Sequence, residues 1–304
     1  MLSLKEYNEA FTYERMRAKA EKLVYENDRI EEIIIGKSLL GKEIPCLRIG
    51  KGSVNILYVG AIHGMEWITA VLLMRFAEDL GEFASVKRRI YGIDPGYIYE
   101  ARSIYIIPML NPDGVDICIN GVDDKNPMRE RLIKANNMSV DFSSWQANAR
   151  GVDLNHNFNA GFSEYRSIEQ KMGITGAAPT RYSGEYAESE PETQAICKLI
   201  RTVENFRNVM AFHTQGEEIY CDFKGRIPHG GKSMGNILAR CSGYKIGKAD
   251  GAAAYGGLKD WYIEEFDKPA FTIECGKGKN PLPIEQNEKI YIDIRKMLFR
   301  ALIV

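Results

Sequence analysis

The sequence predicts an α/β fold, a three-layer sandwich in which a mixed, mostly parallel sheet lies between helices. Three observations lead there. Short, nearly continuous apolar runs (VNILYVGAI at 54–62, RSIYIIPML at 102–110, NVMAFH at 208–213 and PAFTIECG at 269–276) have the texture of strands buried on both faces. Amphipathic stretches of helical period separate several of them, the alternation that builds sheets covered on both sides. The 304 residues are 45% apolar and 27% charged, the balance of an ordinary globular chain. No repeat or linker divides them, so one domain over 1–304 is expected, with 1–30 as a helical lead-in.

Each element follows from its local pattern. Residues 4–26 place apolar and charged side chains at helical spacing. EEIIIGKS and EIPCLRIGKG are short β-type runs joined through a glycine turn, which reads as a hairpin. The run 54–62 leads through His63-Gly64-Met65-Glu66 into an amphipathic helix at about 67–83. The strand at 102–110 ends on the turn signal Asn111-Pro112-Asp113-Gly114. Residues 115–186 are polar and rich in Asn, Gly and Ser, and read as one long irregular region over a site. Ser189 with Glu192 forms a capping-box pattern for a helix to about 204. Strands are expected at 208–213, 217–223 and 269–276, and helices at 231–241, 258–266 and 284–302.

Composition excludes several function classes. A net charge of -1 gives no electrostatic reason for a nucleic-acid or acidic-membrane partner. No run approaches the ~18 apolar residues of a membrane span. The N-terminus MLSLKEYNEAFTYERM lacks the apolar core of a secretory signal. The six cysteines are scattered, without a C-x-x-C pair, several of them in apolar surroundings typical of free thiols. A cytoplasmic, reduced protein is the expectation.

Only four histidines are present. His63 and Glu66 follow a core strand, and His213 ends another, at the carboxyl edge where open sheets place ligand sites. Two imidazoles and a carboxylate, with a fourth position for water, form a catalytic zinc set. Taken singly, Glu66 also suits a helix N-terminus and His213 a hydrogen-bonded core position. Glu274 closes the apolar run 270–273, where a carboxylate is costly unless paired or functional. It could exchange a proton with an attacking water, or be half of a structural ion pair. In the segment 148–158, Arg150 offers a fixed cation for an oxyanion and Asn155 a donor and acceptor for a substrate's polar end. A polar loop that merely packs would read the same way.

Seven segments in order resemble the zinc metallocarboxypeptidase family: IGKSLLGKEIPCLRIG, GAIHGMEW, NPDGVD, NARGVDLNHNF, FHTQGEEIY, GGLKDW and FTIECGKGKNPLP. The resemblance implies a sheet of about eight strands, one Zn2+ on His63, Glu66 and His213, and Glu274 as general base and acid. It casts Arg150 as the oxyanion arginine and Asn155, His156 and Tyr255 as substrate-binding residues. The run 213–217 and the tail 276–283 look most like bacterial γ-D-glutamyl-L-diamino acid peptidases, which implies a peptide or muropeptide substrate. The alternatives are a general carboxypeptidase trimming C-terminal residues and a non-catalytic peptide-binding relative. One departure stands out. His156 occupies the place where the family carries an arginine that forks onto a free carboxylate.

Overall fold

The structure is a computed structural model and describes residues 7–85 and 88–304. The first helix, α1 (Tyr13–Glu26), starts where Thr12 Oγ1 accepts from the Arg15 N–H. It therefore begins later than its periodicity suggested, because the cap sets its start. The first six residues of the expected lead-in lie outside the described ones. The hairpin β1 (Ile30–Lys37) and β2 (Glu43–Ile49) follows as expected.

The chain then alternates as β3 (Val54–Val59), α2 (Ile68–Ser85), α3 (Pro95–Ala101) and β4 (Arg102–Ile107). Residues 115–186 are not one irregular stretch. They hold most of α4 (Pro112–Asn120), with α5 (Arg129–Ala135) and α6 (Phe162–Lys171), and a single 3-10 turn at Leu154–His156. The turn signal at Asn111 is a helix cap: its Oδ1 accepts from Gly114 N at 2.9 Å, and Pro112 opens the first turn. All three helices are short, and α5 and α6 bury only two residues each, so their apolar period is too brief to stand out.

The remaining elements are α7 (Pro191–Thr202), β5 (Phe206–His213), β6 (Glu218–Tyr220), α8 (Gly231–Ser242), β7 (Lys245–Ile246), α9 (Leu258–Phe266), β8 (Ala270–Glu274) and α10 (Asn287–Arg300). The capping box at Ser189 and Glu192 does not form. Glu190 is the N-cap residue, and Glu192 instead accepts from Leu39 N and Asn148 Nδ2. The strand expected over 217–223 is only three residues long.

One eight-stranded sheet runs β1-β2-β4-β3-β5-β8-β6-β7. Its central strands β4, β3, β5 and β8 are parallel, β6 returns antiparallel to β8, and the β1–β2 hairpin extends the other edge. Side chains alternate across it. Ile56, Tyr58, Met210, Phe212, Phe271 and Ile273 pack with α2, α8 and α10. Leu57, Val59, Val209, Ala211 and Ala270 face α7 and α9. This is the sandwich that the apolar runs predicted. All six cysteines are free thiols, and five are buried. Among the described residues no helix is long and apolar enough to cross a membrane.

Candidate metal centre

The carboxyl ends of the parallel strands converge. β3 leaves the sheet through Gly60-Ala61-Ile62 before reaching His63. Ala61 takes the left-handed conformation at φ 44, uncommon for a residue with a side chain. Its N–H donates to Thr69 Oγ1 at 2.7 Å, and that hydroxyl donates to the Glu66 carbonyl at 2.8 Å, so the turn is held against α2. Gly64 lies so close to α4 that a Cβ there would sit 2.3 Å from the Gly114 carbonyl. Neighbouring strands supply the other two groups, since His213 at the end of β5 pairs in register with Glu274 at the end of β8.

His63, Glu66 and His213 are all buried, at 7%, 4% and 1% exposure. Their ligand atoms lie within 4.8 Å of one another, the only such His, Cys, Asp or Glu group found among the described residues. His63 Nδ1 is 3.1 Å from Glu66 Oε1, and His213 Nδ1 is 3.0 Å from Glu66 Oε2. The two Nδ1 atoms are 3.2 Å apart. Burial opposes a charge on His63, but the Glu66 and Asp153 carboxylates outweigh it and hold its pKa well above the ordinary value. Burial wins at His213, whose pKa falls. Burial also disfavours the Glu66 carboxylate, but the charge of His63 and hydrogen bonds from both histidines hold it low.

The donor set fits a divalent metal. The Nδ1 atoms of two imidazoles and one carboxylate converge on one buried point, all three residues offering a ligand atom within 4.8 Å of the others. Two groups outside the expected set steady it. Asp153 Oδ1 lies 3.2 Å from His63 Nε2, while its Oδ2 accepts from Gln146 Nε2 at 3.0 Å and Arg181 N at 2.9 Å. Asn280 Nδ2 reaches Glu66 Oε1 at 3.4 Å and its Oδ1 accepts from Thr214 Oγ1 at 2.7 Å. Both lay inside quoted motifs, but nothing in the sequence showed which carboxylate or amide turns inward.

Glu274 is half-buried, and its carboxylate has no hydrogen-bond partner among the described residues. Burial, reinforced by the Glu66 charge, pushes its carboxyl up to about 8. Arg150 has an ion-pair partner of its own. Its exposed guanidinium lies 3.5 Å from the buried Glu190 carboxylate and lines a cavity of about 800 Å³ with Arg131, Lys134 and Thr180. Asn155 Oδ1 accepts from Leu258 N, which fixes the start of α9.

His156 is buried, stacked on Tyr165 with ring centroids 3.9 Å apart, and its Nδ1 donates to the Tyr255 carbonyl at 2.9 Å. Burial lowers its pKa, so the ring is neutral at pH 7. Gly256, at φ 77, lets the chain pass so close that a Cβ would sit 2.9 Å from the His156 backbone. Tyr255 is half-buried, with its ring set edgewise to Phe223.

The chain is similar in sequence to known proteins. The profile of the zinc carboxypeptidase family (peptidase M14) matches residues 16–295, and the chain belongs to that family. The γ-D-glutamyl-L-diamino acid endopeptidase 1 of Lysinibacillus sphaericus is 36% identical over 92% of this chain and 69% of its own. Carboxypeptidase A1 of Bos taurus is 25% identical over 81% of this chain and 57% of its own. Among solved structures, bovine thrombin-activatable fibrinolysis inhibitor superposes with a TM-score of 0.70 at 20% identity, covering 98% of both chains. The murein-tripeptide amidase of Escherichia coli O157 gives 0.54 at 20% identity, over 88% of this chain and 91% of the other. These two likenesses establish the fold. The family makes the chain a zinc metallopeptidase, a hydrolase of peptide bonds.

Proposed function

We propose that this member of the zinc carboxypeptidase family cleaves the amide bond between γ-D-glutamate and a diamino acid in peptidoglycan stem peptides. One observation carries the reading. The position where a carboxypeptidase forks an arginine onto a free C-terminal carboxylate holds His156, which is buried, neutral and committed to a main-chain carbonyl. A general carboxypeptidase lacks its main grip in such a site. The relative from Lysinibacillus sphaericus, whose name carries the γ-D-glutamyl-L-diamino acid bond, matches almost the whole chain. We take 1–304 as one peptidase domain working in the cytoplasm on muropeptides.

His63, Glu66 and His213 would hold one Zn2+. When bound, zinc supplies Lewis acidity, polarising the scissile carbonyl and making water nucleophilic at neutral pH. The chain's own groups do the rest. Asp153 fixes the ring of His63, the usual task of a carboxylate behind a metal-bound imidazole. Glu274, in register with His213 at the end of the neighbouring strand, is the group to take a proton from the attacking water and return it to the leaving amine. Asn155, whose Oδ1 accepts from Leu258 N, keeps its amide NH2 for the polar end of the substrate. Arg150, paired with Glu190, has no task at the reacting carbonyl in this scheme.

The test is a comparison of γ-D-Glu–diaminopimelate and γ-D-Glu–lysine peptides with α-linked hippuryl substrates, using zinc-loaded protein. Cleavage of a γ-linked peptide with little action on the α-linked ones is the expected result. Activity confined to α-linked peptides would overturn the reading in favour of a general carboxypeptidase.

A further inference from the structure

The cavity of about 800 Å³ that Arg150 lines lies between α5 and the loop at 173–180, and its lining shares no residue with the metal centre. It has the size of a pocket for a small organic ligand. Arg131, Lys134 and Arg150 line it against a single acid, Glu185. Arg131 and Lys134 stand three residues apart on α5 and so share one face of the helix. Neither has an ion-pair or hydrogen-bond partner among the described residues. Arg150 is shared with Glu190, which is outside the lining. Cations gathered on one concave surface raise its positive potential and draw in an anion.

The loop adds donors of a second kind. The main-chain N–H groups of Thr175, Gly176 and Ala177, three in succession in the lining, donate no hydrogen bond among the described residues. The chain just after them is nonetheless fixed. Ala178 N donates to the Gly151 carbonyl at 3.0 Å, and the Pro179 carbonyl accepts from Gln146 N and Ala147 N, both at 3.0 Å. Thr180 Oγ1 donates to Gln146 Oε1 at 2.9 Å. Gly151, at φ 77, leaves the room this needs, since a Cβ there would sit 2.9 Å from Ala177 Cβ. Free main-chain amides on an anchored loop, beside guanidinium and ammonium groups, match the oxygens of a phosphoryl group. A phosphate ester offers three such oxygens and close to two charges above its second pKa near 6, where a carboxylate has two oxygens and one charge. The rest of the lining includes Leu132, Ile174 and Pro179, an apolar wall for the organic part of a ligand.

We infer that this cavity binds a phosphate monoester of small-molecule size. Arg131, Lys134, Arg150 and the amides of 175–177 hold the phosphoryl group, and the organic part lies against Leu132 and Ile174. The site stands apart from the reaction centre, and the inference does not depend on the γ-D-glutamyl reading above.

Binding is measured by calorimetry on the zinc-loaded protein at about pH 8 and constant ionic strength, with phenyl phosphate and benzoate as probes. Phenyl phosphate is expected to bind tighter than benzoate by about tenfold or more, from its additional charged hydrogen bonds. Arg131→Gln and Lys134→Gln should each weaken phenyl phosphate by about threefold to tenfold, and together by roughly the product. Both side chains are exposed and without partners, so circular dichroism should show the fold unchanged. Zinc is itself a ligand for phosphoryl oxygens, so position is read separately by hydrogen exchange. Phenyl phosphate should slow exchange of the amides at 175–177 in the wild type and leave it unchanged in the double variant. Equal binding of the two probes, an affinity that survives the double substitution, or binding without slowed exchange at 175–177 overturns the site.

Discussion

Replacing Asp153 by asparagine removes one charge and rearranges one atom, and the structure says what that does. Oδ1 faces His63 Nε2 at 3.2 Å and accepts from Asn155 N at 3.2 Å. Oδ2 accepts from Gln146 Nε2 and Arg181 N. An amide cannot satisfy both sides. With its NH2 in the Oδ2 position it opposes two donors, and with its NH2 in the Oδ1 position it opposes the Asn155 N–H and no longer accepts from the imidazole. Either way the ring of His63 loses the negative charge that favours its donor role, and in the second orientation it loses its orienting acceptor as well. Loss of such a partner weakens metal affinity by roughly 10–100-fold, about 1.4 kcal/mol for each factor of ten. Competition with a chromophoric chelator measures the zinc dissociation constant directly, and circular dichroism of the metal-free protein controls for folding. An Asp153→Asn variant that folds and binds zinc within about twofold of the wild type, well short of that range, would refute the argument that this carboxylate holds the metal ligand.

Other substitutions separate the remaining roles. Glu274→Gln should retain one zinc per chain by metal analysis while kcat falls by about 10²–10⁴. Arg150→Ala should lower kcat/KM by less than about tenfold, against the roughly 10²–10³ expected of an oxyanion donor, because its guanidinium pairs with Glu190. Glu192 is fully buried, and burial raises its carboxyl from 4.5 to about 7. A carboxyl raised on folding contributes stability that is fully present below pH 4.5 and is lost as pH rises through 7, worth about 3 kcal/mol. Denaturant unfolding between about pH 4.5 and 8 should therefore show a decline in the wild type that Glu192→Gln flattens. Parallel declines in the two proteins would remove Glu192 as the cause.

The family segments and the apolar runs made the fold and the metal trio legible because both depend on local order in the chain. A doubly buried strand must be apolar throughout, and its carboxyl end is where α/β sheets open to ligand. His213 and Glu274 end β5 and β8, and His63 and Glu66 lie in the turn that leaves β3, so naming the strands pointed to the candidate site. The helices within 112–171 escaped notice because each is short, and α5 and α6 bury only two residues each. The capping pattern at Ser189 failed because Glu192, three residues on, found a stronger claim in the main chain at Leu39.

What the sequence determined by itself was therefore the layered sheet, and it singled out the three residues that could hold a metal with Glu274 beside them. Only the tertiary structure decided which polar groups turn inward. Residues far apart in the chain meet there: Asp153 behind His63, Asn280 against Glu66, and Lys259 between Asp222 and Asp260. Arg150 and His156, equally prominent in the sequence, are drawn off to Glu190 and to the Tyr255 carbonyl. Strand pattern is written residue by residue, whereas the partner of a buried polar atom is set by whatever the fold brings within about 3 Å of it.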